Sequence, residues 1–184
     1  IMNLLLFLHL TQYMNRMGDM GRVFWITGLS GAGKTTIGYL LYTKLKAQKN
    51  PIVFLDGDEL RKVFGNDLGY SKEDRLKSAF RNSRLCKLLS DQEIDVICCT
   101  ISMFDAIREW NRENIKNYFE IYLDVSLETL KDRKNIYREN NNDIVGINVL
   151  AEIPKNPDIV LDNNGDFSPI EQVKKILLYI DLEV

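Results

Sequence analysis

The densest group of chemically capable residues in the sequence is a glycine-rich run that ends in a lysine and two threonines. It reads Gly28-Leu29-Ser30-Gly31-Ala32-Gly33-Lys34-Thr35-Thr36. Glycines at this spacing let backbone N–H groups curl around an anion, and the N-terminus of a following helix adds a partial positive charge. The lysine can reach the β- and γ-phosphates of a nucleotide, and Thr35 can give its hydroxyl to Mg²⁺. The run therefore predicts a site for ATP with magnesium.

The spacing of this run is that of a P-loop, GxxxxGK[ST]. A hydrophobic run at 22–27 precedes it and a helical pattern follows it, as that motif requires. A chance glycine turn would explain Gly28 and Gly33 but not the lysine and threonine that follow. A regulatory GTPase is disfavoured because the sequence has no NKxD guanine motif.

Two carboxylates form a second candidate site. Asp56 and Asp58 flank Gly57 directly after the apolar run 52–55. If that run is a strand parallel to the first, they lie near the P-loop, where a carboxylate can take a proton from an acceptor hydroxyl or orient it. Arg61, one turn on, could hold an anionic group. The alternative to a catalytic role is a structural one for either aspartate, as an Asx turn with a helix cap. The only histidine, His9, lies near the start of the chain, so we expect a carboxylate base.

The elements that must position these residues alternate along the chain. We predict strands at 22–27, 52–55, 94–100, 118–125 and 158–162, and helices at 34–49, 71–90, 105–117, 126–133 and from 168 onward. Strands that alternate with helices form a parallel sheet covered on both faces. The prediction is an α/β fold, a P-loop NTPase three-layer α/β/α sandwich with a five-stranded parallel sheet and ligands at the carboxyl ends of the strands.

Length and composition predict one domain. The 184 residues, 45% of them hydrophobic, suffice for one core. We assign residues 21–184 to the kinase domain and treat residues 1–20 as an N-terminal extension of uncertain role, since they lack a basic leader and a small-residue cleavage site. The net charge of −2 argues against nucleic acid or an anionic membrane as partner. A small-molecule partner is expected, and a homodimer stays open.

The three cysteines lack metal-ligand spacing. Cys86, Cys98 and Cys99 form neither CxxC nor CxxxC. We expect buried packing for all three in a reduced, cytoplasmic protein.

Several runs beyond the P-loop together resemble a known family. They are 55–61 (LDGDELR), 67–75 (DLGYSKEDR), 101–104 (ISMF) and 154–162 (PKNPDIVLD). With the P-loop, they make the sequence from Arg22 to Asp162 similar to the adenylylsulfate kinases. The resemblance implies transfer of the ATP γ-phosphoryl group to the ribose 3′-hydroxyl of a nucleotide that carries a modified terminal group.

The resemblance also implies roles for individual residues. It makes Lys34 and Asp56 catalytic, with Asp56 at the reacting hydroxyl. It surrounds the acceptor with Asp58, Arg61, Tyr70, Arg75, Ser78, Ser102 and Ile144. A lid over the nucleotides would comprise residues 135–143 with Arg133, Lys134 and Tyr137, of which Arg133 would contact ATP. Arg108 and Arg112 match family arginines, although a solvated charged face explains them as well.

Departures from the family pattern cluster at the acceptor. Ile144 stands where the family has a phenylalanine that stacks on adenine, Ser78 replaces an asparagine, and two lid residues are absent. Loss of one stacking aromatic costs about 1–3 kcal/mol, which a smaller pyrimidine base would tolerate. We therefore expect a divergent branch that phosphorylates cytidine diphosphoramidate in capsular polysaccharide biosynthesis. Adenylylsulfate, a small metabolite of the gluconate or shikimate type, and a catalytically silent nucleotide-binding module are the alternatives.

Overall fold

A five-stranded parallel sheet forms the centre of the molecule. The structure, a computed structural model, describes residues 20–48, 50–134, 145–147 and 149–180. The strands lie in the order β2-β3-β1-β4-β5, and each pairs in parallel with its neighbours. They are β1 (Val23–Thr27), β2 (Ile52–Asp56), β3 (Asp95–Thr100), β4 (Tyr118–Asp124) and β5 (Ile159–Asp162). The predicted α/β fold is confirmed, and the strand bounds differ from those expected by one residue or less.

Six helices flank the sheet in the described part of the chain. They are α1 (Lys34–Lys46), α2 (Gly57–Val63), α3 (Lys72–Ser90), α4 (Asp105–Asn114), α5 (Leu127–Arg133) and α6 (Pro169–Tyr179). Hydroxyl side chains cap three of them, since Ser71, Ser126 and Ser168 accept hydrogen bonds from the first turns of α3, α5 and α6. The short helix α2 was not among the predicted helices. Its N-cap is Asp56, whose carboxylate accepts from the backbone N–H of Asp58, so the alternative of an Asx turn with a helix cap holds for Asp56.

Alternating side chains of the sheet divide the core into two layers. Phe24 and Ile26 of β1 pack with α1 and α6, whereas Val23 and Trp25 pack with α3 and α4. This alternation follows from the period of two along a strand. Because helices cover both faces, the P-loop and the other loops at the carboxyl ends of the strands are left to bind ligands.

The three cysteines lie in these layers. Cys86, Cys98 and Cys99 are all buried and free, so the predicted packing role is confirmed. Burial raises the pKa of the Cys99 thiol, whose Sγ lies 3.2 Å from the Lys34 carbonyl. Among the described helices, none is long and apolar enough to cross a membrane.

Candidate active site

The P-loop connects β1 to α1 and depends on glycine at its tightest point. Gly33, directly before α1, has φ +95°, a region that side chains rarely adopt. A Cβ atom there would lie 2.7 Å from Nδ2 of Asn163. That amide donates to the Ala32 carbonyl at 2.7 Å. Asn163, directly after β5, therefore holds the loop from outside and leaves no room for a side chain at Gly33.

The lysine of the P-loop is buried, and its side chain runs back along the loop. Lys34 is 9% exposed, and its Nζ donates to the Leu29 carbonyl at 2.7 Å. Burial is the main cause that lowers the pKa of Lys34 to about 8, and the nearby Cys99, Asp58 and Asp56 oppose that shift. A partly desolvated ammonium interacts more strongly with a phosphate than one in water does.

Thr35 and Asp56 join the P-loop to the end of β2. The Thr35 hydroxyl donates to Oδ2 of Asp56 at 2.8 Å, while Oδ1 accepts from the backbone N–H of Asp58 at 2.9 Å. The described residues contain no cluster of three or more His, Cys, Asp or Glu side chains for a metal. Mg²⁺ ordinarily takes only one or two carboxylates and completes its shell with phosphates and water. This hydroxyl and carboxylate therefore fit a magnesium ion.

A cavity of about 330 Å³ opens beside these groups, and we call it the P-loop cavity. The P-loop supplies Ser30, Gly31, Gly33, Lys34, Thr35 and Thr36 to its lining. Arg133 and Lys134 also line it. Arg133 donates to the Asn163 carbonyl at 2.7 Å, and Lys134 Nζ lies 3.4 Å from the Ser30 hydroxyl. The lining is thus rich in donors for phosphate oxygens.

A second cavity of about 380 Å³ adjoins it, and we call it the Tyr70 cavity. Five residues line both cavities: Ser30, Gly57, Asp58, Thr100 and Ile101. The remaining lining residues are Arg61, Tyr70, Arg75, Ser78, Ala79, Asn82 and Val145. Asp58 is the only carboxylate among the shared residues, whereas Asp56 lines the P-loop cavity alone. A group bound in one cavity therefore meets a group bound in the other beside Asp58.

Two arginines and a tyrosine form the outer part of the Tyr70 cavity. The guanidinium carbons of Arg61 and Arg75 lie 4.5 and 5.2 Å from the centre of the Tyr70 ring. Arg61 also donates to the carbonyls of Leu68 and Gly69, and Arg75 donates to that of Tyr70. These contacts hold two positive charges at the cavity, so it suits an anionic ligand.

The structure brings most of the predicted site residues together. Gly28, Leu29 and Ala32 shape the P-loop, and the other P-loop residues line its cavity with Asp56 and Arg133. Asp58, Arg61, Tyr70, Arg75 and Ser78 line the Tyr70 cavity. The lid segment 135–143, Tyr137 and Ile144 lie outside the described residues. Val145, the neighbour of Ile144, is buried and does line the Tyr70 cavity.

Ser102 lies apart from the two cavities. Its side chain is 1% exposed and lines neither of them. Its hydroxyl has no hydrogen-bond partner among the described residues, and its carbonyl accepts from Thr27. Its predicted acceptor contact therefore gains no support from the geometry.

Arg108 and Arg112, which match family arginines in the sequence, belong to an ion-pair network. The alternative of a solvated charged face does not hold for Arg108, which is buried. Arg108 is 5% exposed and pairs with Asp105 and Glu120. Arg112 pairs with Glu120 and Asp158 at 2.9 and 3.1 Å. Neither arginine lines a cavity. Together they tie α4 to β4 and to the residues before β5.

The sequence analysis did not identify some of the residues that line the two cavities. Thr100 is the last residue of β3 and Ile101 follows it, so the meeting of strand ends could have indicated them. Ala79 and Asn82 follow Arg75 and Ser78 at the spacing i, i+3, i+4, i+7, which defines one helix face. That period was a usable signal in the sequence. Asn163 had no comparable signal, because only the fold brings β5 beside the P-loop.

Comparisons with known proteins agree with this geometry. The sequence profile of the Adenylylsulphate kinase family matches residues 20–162. A cytidine diphosphoramidate kinase from Campylobacter jejuni is 38% identical over 161 residues, which are 84% of this chain and 94% of that relative. An adenylyl-sulfate kinase from Clostridium kluyveri is 36% identical over 176 residues, 91% of this chain and 87% of that relative.

A solved structure gives the same result. The APS kinase of Mycobacterium tuberculosis, in complex with AMPPNP and APS, superposes with a TM-score of 0.81 at 31% identity, and the match covers 89% of this chain and 99% of that one. The resemblance expected from the sequence is confirmed. The chain belongs to the adenylylsulphate kinase family of P-loop kinases, phosphotransferases that act on a hydroxyl acceptor.

Proposed function

We propose that the chain transfers the γ-phosphoryl group of ATP, with Mg²⁺, to the ribose 3′-hydroxyl of cytidine diphosphoramidate. The observation that carries this proposal is the pair of adjoining cavities with Asp58 on their shared wall. ATP would occupy the P-loop cavity with its γ-phosphate toward that wall. The acceptor would occupy the Tyr70 cavity with its ribose toward the same wall.

The P-loop cavity supplies the phosphate chemistry. Lys34 would stabilise negative charge on the β- and γ-oxygens, and backbone N–H groups of the loop would surround the phosphates. Thr35 and Asp56 would hold the magnesium ion, which when bound neutralises charge on the same oxygens. The Thr35–Asp56 hydrogen bond of 2.8 Å keeps the two ligand groups side by side.

The resemblance to the family puts Asp56 at the reacting hydroxyl. The geometry favours a different assignment, with Asp58 as the proton acceptor and Asp56 in a metal-holding and positioning role. Both oxygens of Asp56 are engaged, one by Thr35 and one by the α2 cap, and Asp56 does not line the Tyr70 cavity. Asp58 is exposed and lines both cavities. In the transfer, a bond forms between the 3′-oxygen and the γ-phosphorus, the bond from that phosphorus to the bridging oxygen of ADP breaks, and the hydroxyl proton passes to Asp58.

The charge of the Tyr70 cavity supports a nucleotide acceptor. Arg61 and Arg75 can hold the anionic groups at the 5′ end of the acceptor, while the deeper part of the cavity takes its base. Shikimate and gluconate each carry a single carboxylate and would leave one of these two charges without a partner, whereas the nucleotide acceptor carries two anionic groups. The buried, reduced cysteines are in keeping with a cytoplasmic enzyme.

Two acceptors remain in competition. The Campylobacter jejuni relative is named for cytidine diphosphoramidate, and Ile144 in place of the family phenylalanine favours the smaller base. Adenylylsulfate is favoured by the name of the family and by the Mycobacterium tuberculosis kinase, which was solved with APS. We give precedence to the cytidine acceptor because the substituted residue adjoins Val145 of the Tyr70 cavity.

The test is turnover of each acceptor by the purified protein. ADP release would be measured with ATP, magnesium and either cytidine diphosphoramidate, adenylylsulfate, shikimate or gluconate, and ³¹P NMR would locate the new phosphate. We expect magnesium-dependent ADP release and a 3′-phosphate with the cytidine acceptor. Turnover of a small metabolite alone, or ADP release with no acceptor-dependent product, would refute the proposal.

A further inference from the structure

An asparagine deep in the Tyr70 cavity has an unsatisfied amide oxygen. Asn82 lies on α3, is 2% exposed and lines the cavity. Its Oδ1 is shielded from solvent and has no hydrogen-bond partner among the described residues. A buried amide oxygen without a donor lowers stability, so the position suits a ligand that supplies the missing donor.

The position of Asn82 along α3 points to the base of the acceptor. Arg75, Ser78, Ala79 and Asn82 share one helix face and all line the cavity. Seven residues of helix separate Arg75 from Asn82, a rise of about 10 Å. An anionic group held by Arg75 would therefore leave the far end of a nucleotide close to Asn82.

We propose that Asn82 recognises the exocyclic amino group on the base of the nucleotide acceptor. The inference rests on the proposed function and deepens it. The terminal torsion of asparagine is soft, so the amide can turn Oδ1 toward a donor in the cavity. Cytosine and adenine both present an amino donor beside a ring-nitrogen acceptor, and a primary amide matches that pair with one acceptor and one donor. Asn82 would thus accept from the amino group and donate to the ring nitrogen.

A double-mutant cycle tests the contact directly. One arm is Asn82→Leu, which keeps the shape of the side chain, and the other is an acceptor that lacks the amino group: the 4-deamino analogue of cytidine diphosphoramidate, or the 6-deamino analogue of adenylylsulfate if that acceptor turns over. We expect either change alone to lower kcat/KM for the acceptor about tenfold to hundredfold, because a buried partner is left unpaired. We expect the two together to lower it no further than either alone.

Two controls separate recognition from packing. Ser83→Ala removes a neighbouring buried hydroxyl that is also unpartnered among the described residues but does not line the cavity, so it should leave kcat/KM unchanged. The KM for ATP and the melting temperature of Asn82→Leu should not fall, because the variant removes an unsatisfied polar group.

The outcomes distinguish this inference from the proposed function. Fully additive losses, or an Asn82→Leu variant with wild-type kcat/KM, would overturn the role of Asn82 while leaving the nucleotide kinase intact. A wild-type protein that turns over no nucleotide acceptor would overturn the proposed function and this inference with it.

Discussion

The two adjoining cavities are built in different ways. In the P-loop cavity, one run supplies six of the fourteen lining residues, including the lysine and both threonines. Its key groups are already held, Lys34 by Leu29, Thr35 by Asp56 and the loop itself by Asn163. The Tyr70 cavity is assembled from distant segments on α2, α3, the end of β3 and Val145. The difference indicates that phosphate chemistry is fixed by one motif, whereas acceptor choice depends on several independent positions that can change separately.

The largest effect expected from this contrast is at Lys34. Lys34→Ala should lower kcat by at least about 10³-fold, because the variant loses charge stabilisation on the transferring phosphoryl group. The fold should survive, since Lys34 contributes a phosphate contact rather than apolar packing. Steady-state kinetics would measure kcat, and circular dichroism would show whether the fold is intact. Lys44→Ala, which changes an exposed lysine on the same helix, is the matched control. Near wild-type turnover by Lys34→Ala would show that the P-loop lysine does not take part in the transfer.

The carboxylate on the shared wall should give the next effect. Asp58→Asn should lower kcat by about 10²- to 10⁴-fold, since an amide cannot take the proton, with little change in ATP affinity. Asp56→Asn should instead weaken binding of ATP in the presence of magnesium, because it disturbs the Thr35 contact. Calorimetric titration of both variants, with Glu59→Gln as the exposed neighbouring control, separates the roles. If Asp56→Asn loses rate alone and Asp58→Asn is active, the roles are exchanged.

Burial of Lys34 should also make the free energy of unfolding depend on pH. The pKa of Lys34 is about 8 in the folded protein and near 10.5 when unfolded, so between those values the unfolded state binds more protons and the free energy of unfolding rises with pH. Relative to Lys34→Met, the wild type should gain on the order of 3 kcal/mol from below pH 8 to above pH 10.5. Urea unfolding of both proteins at either end of the range measures the gain. If the free energy of unfolding changes equally with pH in the two proteins, Lys34 is not desolvated in the folded state.

The Tyr70 cavity should respond selectively to loss of charge. Arg75→Ala should raise the acceptor KM about tenfold to hundredfold, since a hydrogen bond to a charged group is lost, while the KM for ATP stays unchanged. Arg84→Ala on the exposed side of the same helix serves as control. An equal rise in both KM values would mean that the two cavities are not energetically separate.

The smallest expected effect concerns Ile144, which precedes Val145 in the sequence. Ile144→Phe should raise kcat/KM for adenylylsulfate relative to cytidine diphosphoramidate by roughly tenfold, if about 1.4 kcal/mol of stacking against the base is recovered. Both acceptors would be assayed with both proteins, and the Lys34-dependent step should be unaffected. An unchanged ratio would show that this position does not select the base.

The sequence predicted the two cavities unequally for a physical reason. The P-loop, its helix and the five strands follow from local spacing and hydrophobic period, which single segments carry. The α2 helix was missed because seven residues started by a side-chain cap leave little periodic signal. The ion pairs of Arg108 and Arg112 were not predicted because their partners, Glu120 and Asp158, meet them only in the folded chain. The Tyr70 cavity joins distant segments, and their meeting leaves no local pattern. The resemblance to the family identified several of its residues, whereas Ala79 and Asn82 were missed although they lie on the same face of α3 as Arg75 and Ser78.

Internal competition between the two nucleotide acceptors tests the central claim most directly. Cytidine diphosphoramidate and adenylylsulfate at equal concentration would react in one tube with limiting ATP and magnesium, and the ratio of the two 3′-phosphorylated products gives the ratio of their kcat/KM values. The account predicts that the cytidine product predominates and that Lys34→Ala yields neither. A product pool dominated by 3′-phosphoadenylylsulfate would contradict the proposed acceptor and make the chain an adenylylsulfate kinase in activity as well as in family.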